Sequence, residues 1–223
     1  MSRTKLKDRD LPKYTRAEDL INMISHIIGG VFAISALVLC VTFAALHANI
    51  WGVVSGAIYG TTMIILYIMS SIYHGMPEGL TRKVFQVIDH CAVYLLIAGT
   101  YTPFTLVAIR EVSPGWGWSL FGVVWAATIV GIVLSAVDLR RFRVFSMICY
   151  IASGWCIVLA LPVLLEAMPT PALVLLISGG VAYTLGAILY GVGKKICYMH
   201  SIFHILVLAG SVLHFIAILG YVM

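Results

Sequence analysis

Polar side chains are gathered into short clusters along this chain, and the stretches between them are almost wholly apolar. A helix needs about 20 apolar residues to cross the hydrocarbon of a bilayer. Seven stretches reach that length, at roughly 21–46, 51–74, 86–109, 116–137, 144–165, 171–192 and 198–222. The connections are short, and none reads as a separate soluble domain. The expected fold is all-α: a polytopic membrane protein with a charged N-terminal tail at 1–20 and a seven-helix transmembrane domain at 21–223. Pro103 and Pro162 fall inside spans, where neighbouring groups can satisfy the backbone that they free. Gly52, Gly56 and Gly60 recur at four-residue intervals on the second span. Such a small-residue ridge is a packing seam inside a bundle or, alternatively, a dimer contact. No internal repeat stands out, which disfavours an inverted-repeat transporter.

Composition agrees with this pattern. Hydrophobic residues make up 61% of the 223-residue chain and charged residues only 10%, which excludes an ordinary soluble domain. The first 19 residues are charged and the apolar run after them is long enough to span, so no cleavable signal peptide is expected. Cys40, Cys91, Cys149, Cys156 and Cys197 show no CxxC spacing and suggest neither a disulfide framework nor a thiolate metal site.

The net charge of +5 bears on topology more than on nucleic acid, which is not an expected partner. Arg3, Lys5, Lys7, Arg9, Lys13 and Arg16 precede the first span. Arg82 and Lys83 lie between the second and third, Arg140, Arg141 and Arg143 between the fourth and fifth, and Lys194 and Lys195 between the sixth and seventh. With seven spans, every one of the 14 basic residues except Arg110 falls on one side. The positive-inside rule then predicts a cytoplasmic N-terminus and an external C-terminus. One span more or fewer would scatter the charges.

Candidate chemistry collects at the cytoplasmic end. His200 and His204 open the last span four residues apart, which puts both imidazoles on one helix face. His74 closes the second span, and Ser70 lies one turn deeper on the same face. Asp89, near the start of the third span, is the one acidic residue placed inside the membrane, where a carboxylate is costly and marks a functional site by default. These residues come from three helices and share one depth. Three histidines and a water suit a catalytic Zn²⁺ with one open position, and a carboxylate beside that water could take its proton.

The remaining histidines read differently. His26, also at the cytoplasmic end, is expected to make a hydrogen bond between helices. A ligand or a donor behind the ligands is its other reading. His90 points about 100° away from Asp89 around its helix. His214 lies fourteen residues beyond His200, about 21 Å along the helix, and reads as a hydrogen bond between helices. His47 is expected in an external loop, in water.

Several segments resemble one family. They are Ser70-Ser71-Ile72-Tyr73-His74, Asp89-His90-Cys91-Ala92-Val93-Tyr94, Ala98-Gly99-Thr100-Tyr101-Thr102-Pro103-Phe104, His200-Ser201-Ile202-Phe203-His204 and Val212-Leu213-His214-Phe215. An opening Glu18-x-x-x-Asn22-x-x-Ser25-His26-x-x-Gly29 fits as well. From about Glu18 to the end the chain is similar, in motif order, to the hemolysin III family, the bacterial members of the progestin and adipoQ receptor group. The resemblance implies a seven-helix bundle with a cytoplasmic N-terminus. It implies zinc on His74, His200 and His204, Asp89 against the zinc-bound water, and a role for Ser70. It also implies kinship with metal-dependent lipid-amide hydrolases such as the alkaline ceramidases. Only about 20 residues precede the first span, unlike the long N-terminal region of the eukaryotic receptors.

Three functions follow as expectations: a zinc-dependent hydrolase of a lipid amide or ester in the plasma membrane, a sensor of membrane state with structural zinc, and a lytic protein. No helix carries the wide polar stripe of a pore. The last span has no lysine for a retinal Schiff base.

Overall fold

The computed structural model describes residues 4–192 and 196–223. Arg3, Lys194 and Lys195, three of the charges that orient the chain, lie outside the described residues. The seven apolar stretches are seven long helices: α1 (Arg16–Leu46), α2 (Ile50–Gly75), α3 (Leu80–Val112), α4 (Pro114–Asp138), α5 (Arg143–Ala167), α6 (Thr170–Val192) and α7 (Met199–Tyr221). There is no strand among the described residues. The protein is thus an all-α, seven-helix membrane protein.

Helix boundaries differ from the sequence expectation mainly at two N-termini. α1 begins at Arg16, within the stretch read as a tail, because Thr15 and Glu18 form a reciprocal cap: Glu18 N–H donates to Thr15 Oγ1 and Thr15 N–H to Glu18 Oε2. α3 begins at Leu80, so Asp89 lies in its third turn rather than its first.

α1 packs on α2 and α7, α2 on α3, α3 on α4, and α6 on α7, with α5 between α4 and α6. α3 is the central helix. In its most apolar window 78% of residues are buried, against 17% for α5, which explains why α3 carries so many polar residues without facing lipid. The glycine ridge of α2 is the seam with α1. A Cβ at Gly52 would meet the Ala44 side chain at 2.9 Å and one at Gly56 would meet Cys40 at 3.1 Å, while at Gly60 it would collide with Leu37.

Both helices that contain an internal proline depart from α geometry. α3 widens to a π turn at Phe104–Ile109, directly after Pro103. α5 tightens to a 3₁₀ turn at Cys156–Ala160, just before Pro162. There the Tyr101 hydroxyl donates to Gly154 O (2.8 Å) and accepts from Ile157 N–H (3.1 Å), so α3 satisfies the backbone of α5.

Residues 4–15 lie across the end of the bundle where the chain begins, called here the N-terminal end. Thr4 N–H donates to Asp138 Oδ2 (2.9 Å), the Arg9 guanidinium to Val137 O (3.1 Å), and Lys83 Nζ to Lys7 O (2.7 Å). Tyr198 opens α7 from the left-handed region (φ 64°), which L side chains rarely adopt, with its N–H held by Glu18 Oε1 (2.7 Å). One glutamate therefore caps α1 and fixes the start of α7.

Candidate metal centre

At the N-terminal end of the bundle, α2 and α7 bring three imidazoles together. His74 Nε2 lies 3.3 Å from His200 Nε2, which lies 3.0 Å from His204 Nε2. All three residues are buried. Nitrogens about 2.0–2.1 Å from a tetrahedral Zn²⁺ sit about 3.3 Å from one another, so the spacing is that of a ligand set. The four-residue offset on α7 stacks two of the rings one turn apart, and α2 supplies the third from across the contact. The group could hold a metal ion.

The surrounding hydrogen bonds fit the same reading. His74 Nδ1 is 2.9 Å from Asp19 Oδ1. A carboxylate only accepts, so Nδ1 carries the proton and Nε2 presents its lone pair to the centre. A carboxylate behind a ligating imidazole both orients the ring and raises its basicity. Asp19 is itself held by the Arg82 guanidinium, with both carboxylate oxygens at 2.7 Å. Around the cluster, Asn22 Oδ1, both ring nitrogens of His26, Ser70 Oγ, the Tyr73 hydroxyl and His204 Nδ1 are buried with no hydrogen-bond partner among the described residues. Buried polar atoms are almost always paired. Their concentration here fits a site completed by an ion and ordered water.

Asp89 and Ser70 are not among the three convergent ligands. They line the wall of a cavity of about 130 Å³ that also touches His200 and His204. The cavity runs between α3, α5, α6 and α7 to Thr100 and His214 and has mostly apolar walls. Asp89 Oδ2 is also 3.9 Å from His90 Nδ1. His74 lies outside this lining and faces Asp19.

The other histidines separate cleanly. His90 Nδ1 donates to Gln86 O (2.8 Å), and its Nε2 lies 2.9 Å from the Tyr190 hydroxyl, which joins α3 to α6. His214 Nε2 donates to Leu176 O (2.9 Å), the expected bond between helices. His47 is exposed. His26 departs from expectation. It makes no hydrogen bond among the described residues, and its ring instead lies 3.8 Å from that of His204 and edge-on to Tyr67 at 5.0 Å. The five cysteines are free, and Cys197 is exposed.

Two residues escaped the sequence reading. Asp19 falls in the stretch read from sequence as a tail, although an acidic residue at the first turn of a span, at the same end as the histidines, is a signal for it. Tyr14 stacks on His200 (4.8 Å between centroids, 20° between planes) and lies 5.5 Å from the His74 ring. Burial pushes its phenol well above the ordinary value, so the hydroxyl keeps its proton. Only the path of residues 4–15 across the bundle places it there.

Comparison with known proteins bears on what this centre belongs to. Residues 14–215 match the family described as "Haemolysin-III related". The chain is 38% identical over 206 residues to "Hemolysin-3" of Bacillus cereus, covering 92% of each protein. It is 36% identical over 208 residues to the "Hemolysin-3 homolog" of Bacillus subtilis (strain 168), covering 93% of this chain and 96% of that one. Similarity extends at 25% identity over 181 residues to the human "Monocyte to macrophage differentiation factor", 79% of this chain and 74% of that protein. The matched region holds the three convergent histidines, Asp19 behind them and Asp89 on the cavity wall, and with that coverage the chain belongs to the hemolysin III family.

Proposed function

We propose that this protein is a zinc-dependent hydrolase of a lipid amide or ester, with its centre at the cytoplasmic face of the plasma membrane. The observation that carries the reading is that two members of a three-histidine group, His200 and His204, line one end of an apolar cavity together with a carboxylate and an unpaired serine hydroxyl. His74, His200 and His204 are the ligands. Zinc bound there supplies a water acidified towards neutrality and a Lewis acid for the scissile carbonyl. Asp89 accepts the proton of the attacking water and returns it to the leaving amine or alcohol. Ser70 Oγ donates a hydrogen bond to the polar head of the lipid, and the apolar wall around Leu96, Ile97 and Val207 takes part of its chain. Asp19 holds His74 in the tautomer that binds metal, and Tyr14 covers the centre on its N-terminal side.

The competing reading is a sensor of membrane state with structural zinc, favoured by Tyr14 lying over His200. The relatives' name, Hemolysin-3, raises lysis, but the interior cavity has mostly apolar walls rather than those of an aqueous pore. Asp89→Asn separates catalysis from structure. An amide cannot take the proton, so metal and fold should persist while hydrolysis of lipid amides falls about 10²–10⁴-fold. Metal content, melting temperature and turnover measured on one preparation check this. Normal turnover in metal-loaded Asp89→Asn removes Asp89 as the base. No turnover of any lipid amide or ester by the zinc-loaded wild type favours the sensor.

A further inference from the structure

A second apolar compartment shares one lining residue, His26, with the inner cavity. It is a lateral groove of about 590 Å³ on the outer surface of α1 and α2, formed by Met23, Ile27, Gly30 and Ile34 of α1 with Ile68 and Ile72 of α2. Both helices are spans, so the groove opens towards hydrocarbon, and Gly75 and Met76 bring it to the C-terminal end of α2, at the N-terminal end of the bundle and the level of His74. The polar side chains on its wall are Ser71, whose hydroxyl donates to Tyr67 O (2.7 Å), and His26, whose two ring nitrogens have no partner among the described residues.

His26 is the residue that the two compartments share: it lines the groove and also the inner cavity. Its inner face lies 3.8 Å from the ring of His204. One imidazole therefore stands between a lipid-facing groove and a metal ligand. A buried, unbonded imidazole is costly in a membrane and makes no hydrogen bond among the described residues to the packing of α1, so its presence there calls for another role. Of two neighbouring glycines, only Gly30 lines the groove. A Cβ at Gly29 would collide with the Tyr67 ring, whereas one at Gly30 meets nothing closer than 3.9 Å and would project into the groove.

We propose that the groove between α1 and α2 binds an acyl chain of a membrane lipid and that His26 is the gate between that groove and the metal centre. The chain packs against Ile27, Ile34, Ile68 and Ile72, which places the polar linkage of the lipid beside the His26 ring. Rotation of that ring away from His204 opens the passage, and its free ring nitrogens offer the entering lipid a hydrogen bond. The traffic towards the centre rests on the hydrolase reading, whereas occupancy of the groove does not.

The test uses the full chain in phosphatidylcholine nanodiscs that contain a phosphatidylcholine with a diazirine in one acyl chain. After irradiation, adducts are mapped by peptide mass spectrometry. Wild type should be labelled along 27–34 and 68–76 several-fold more than at Val130 and Val133, which are exposed on α4. Gly30→Leu should abolish the excess and leave α4 labelling, metal content and melting temperature unchanged. Ile34→Trp is the second occluding variant should Gly30→Leu unfold. Adducts at Ile97 and Val207, inside the cavity, should fall several-fold in Gly30→Leu and His26→Trp and rise in His26→Ala. Groove labelling no greater than that of α4, or unaffected by either occluding variant, overturns the binding site. Cavity labelling unchanged across all these variants overturns the gate. Groove labelling needs no turnover, so it stands even where the separate turnover assay finds no hydrolysis and the hydrolase reading falls.

Discussion

α7 carries two polar clusters about two turns apart, and they behave in opposite ways. In the cluster nearer the C-terminus, Ser211 collects the phenols of α2 and α6. Tyr67 and Tyr183 each place a hydroxyl 2.8 Å from its Oγ, and the Tyr59 hydroxyl donates to its carbonyl at 3.4 Å. One turn further on, His214 donates to Leu176 O. That cluster ties helices together and uses most of its hydrogen-bonding capacity, with His214 Nδ1 left over. In the cluster at His200 and His204 the nitrogens converge on a common centre, and several polar atoms around them, among them Ser70 Oγ, Asn22 Oδ1 and both His26 ring nitrogens, have no partner among the described residues. Side chains of similar polarity, on one helix, thus divide into a structural network and a site. The difference lies in whether the partners are protein groups or must come from outside.

The largest effect should separate the two histidines of that contrast. His204→Ala should reduce bound zinc from about one per chain to almost none, while His214→Ala should leave it in place. Metal analysis of the purified variants measures this, and equal loss in both would erase the distinction. Next comes the carboxylate behind the ligand. Asp19→Ala leaves His74 without its acceptor and should weaken metal affinity about 10–100-fold, read by competition with a chelator. Unchanged affinity would make Asp19 a partner of Arg82 alone.

Ser211→Ala tests the structural cluster. It should leave metal binding intact and cost about 1–3 kcal/mol of stability, because buried phenols lose their partner; denaturation in detergent measures it. The smallest effect belongs to Tyr14→Leu. It removes a stacked cover and no ligand, so zinc content should not change while its release to a chelator quickens several-fold. Unaltered release would mean that the N-terminal segment does not shield the centre.

Much of this was legible in the residues themselves. Length and apolarity gave seven spans because a bilayer admits few backbone solutions. The α2 ridge could be read as a seam because only small residues allow so close an approach. His200 and His204 announced a shared face through helical periodicity, and His74 followed from the direction of α2. Other features were hidden. Asp19 lies 55 positions from the histidine it orients, and only its place in the first turn of a span sets it apart from the tail carboxylates. His26 invited a hydrogen bond by its chemistry, but its position leaves it beside the tilted His204 ring, 3.8 Å between centroids, with none among the described residues.

What the sequence by itself determined, then, is what depends on local rules: which stretches can span, where the basic residues gather, and which side chains share a helix face. The tertiary structure alone decided which helices meet, and with that the Nε2 convergence of His74 with His200 and His204, the Asp19 contact, the cover by Tyr14 and the two compartments divided by His26. The physical reason is that hydrophobic length and helical period act within one helix. Contacts between helices arise from packing and hydrogen bonds among residues far apart in the chain, and no local pattern encodes that pairing.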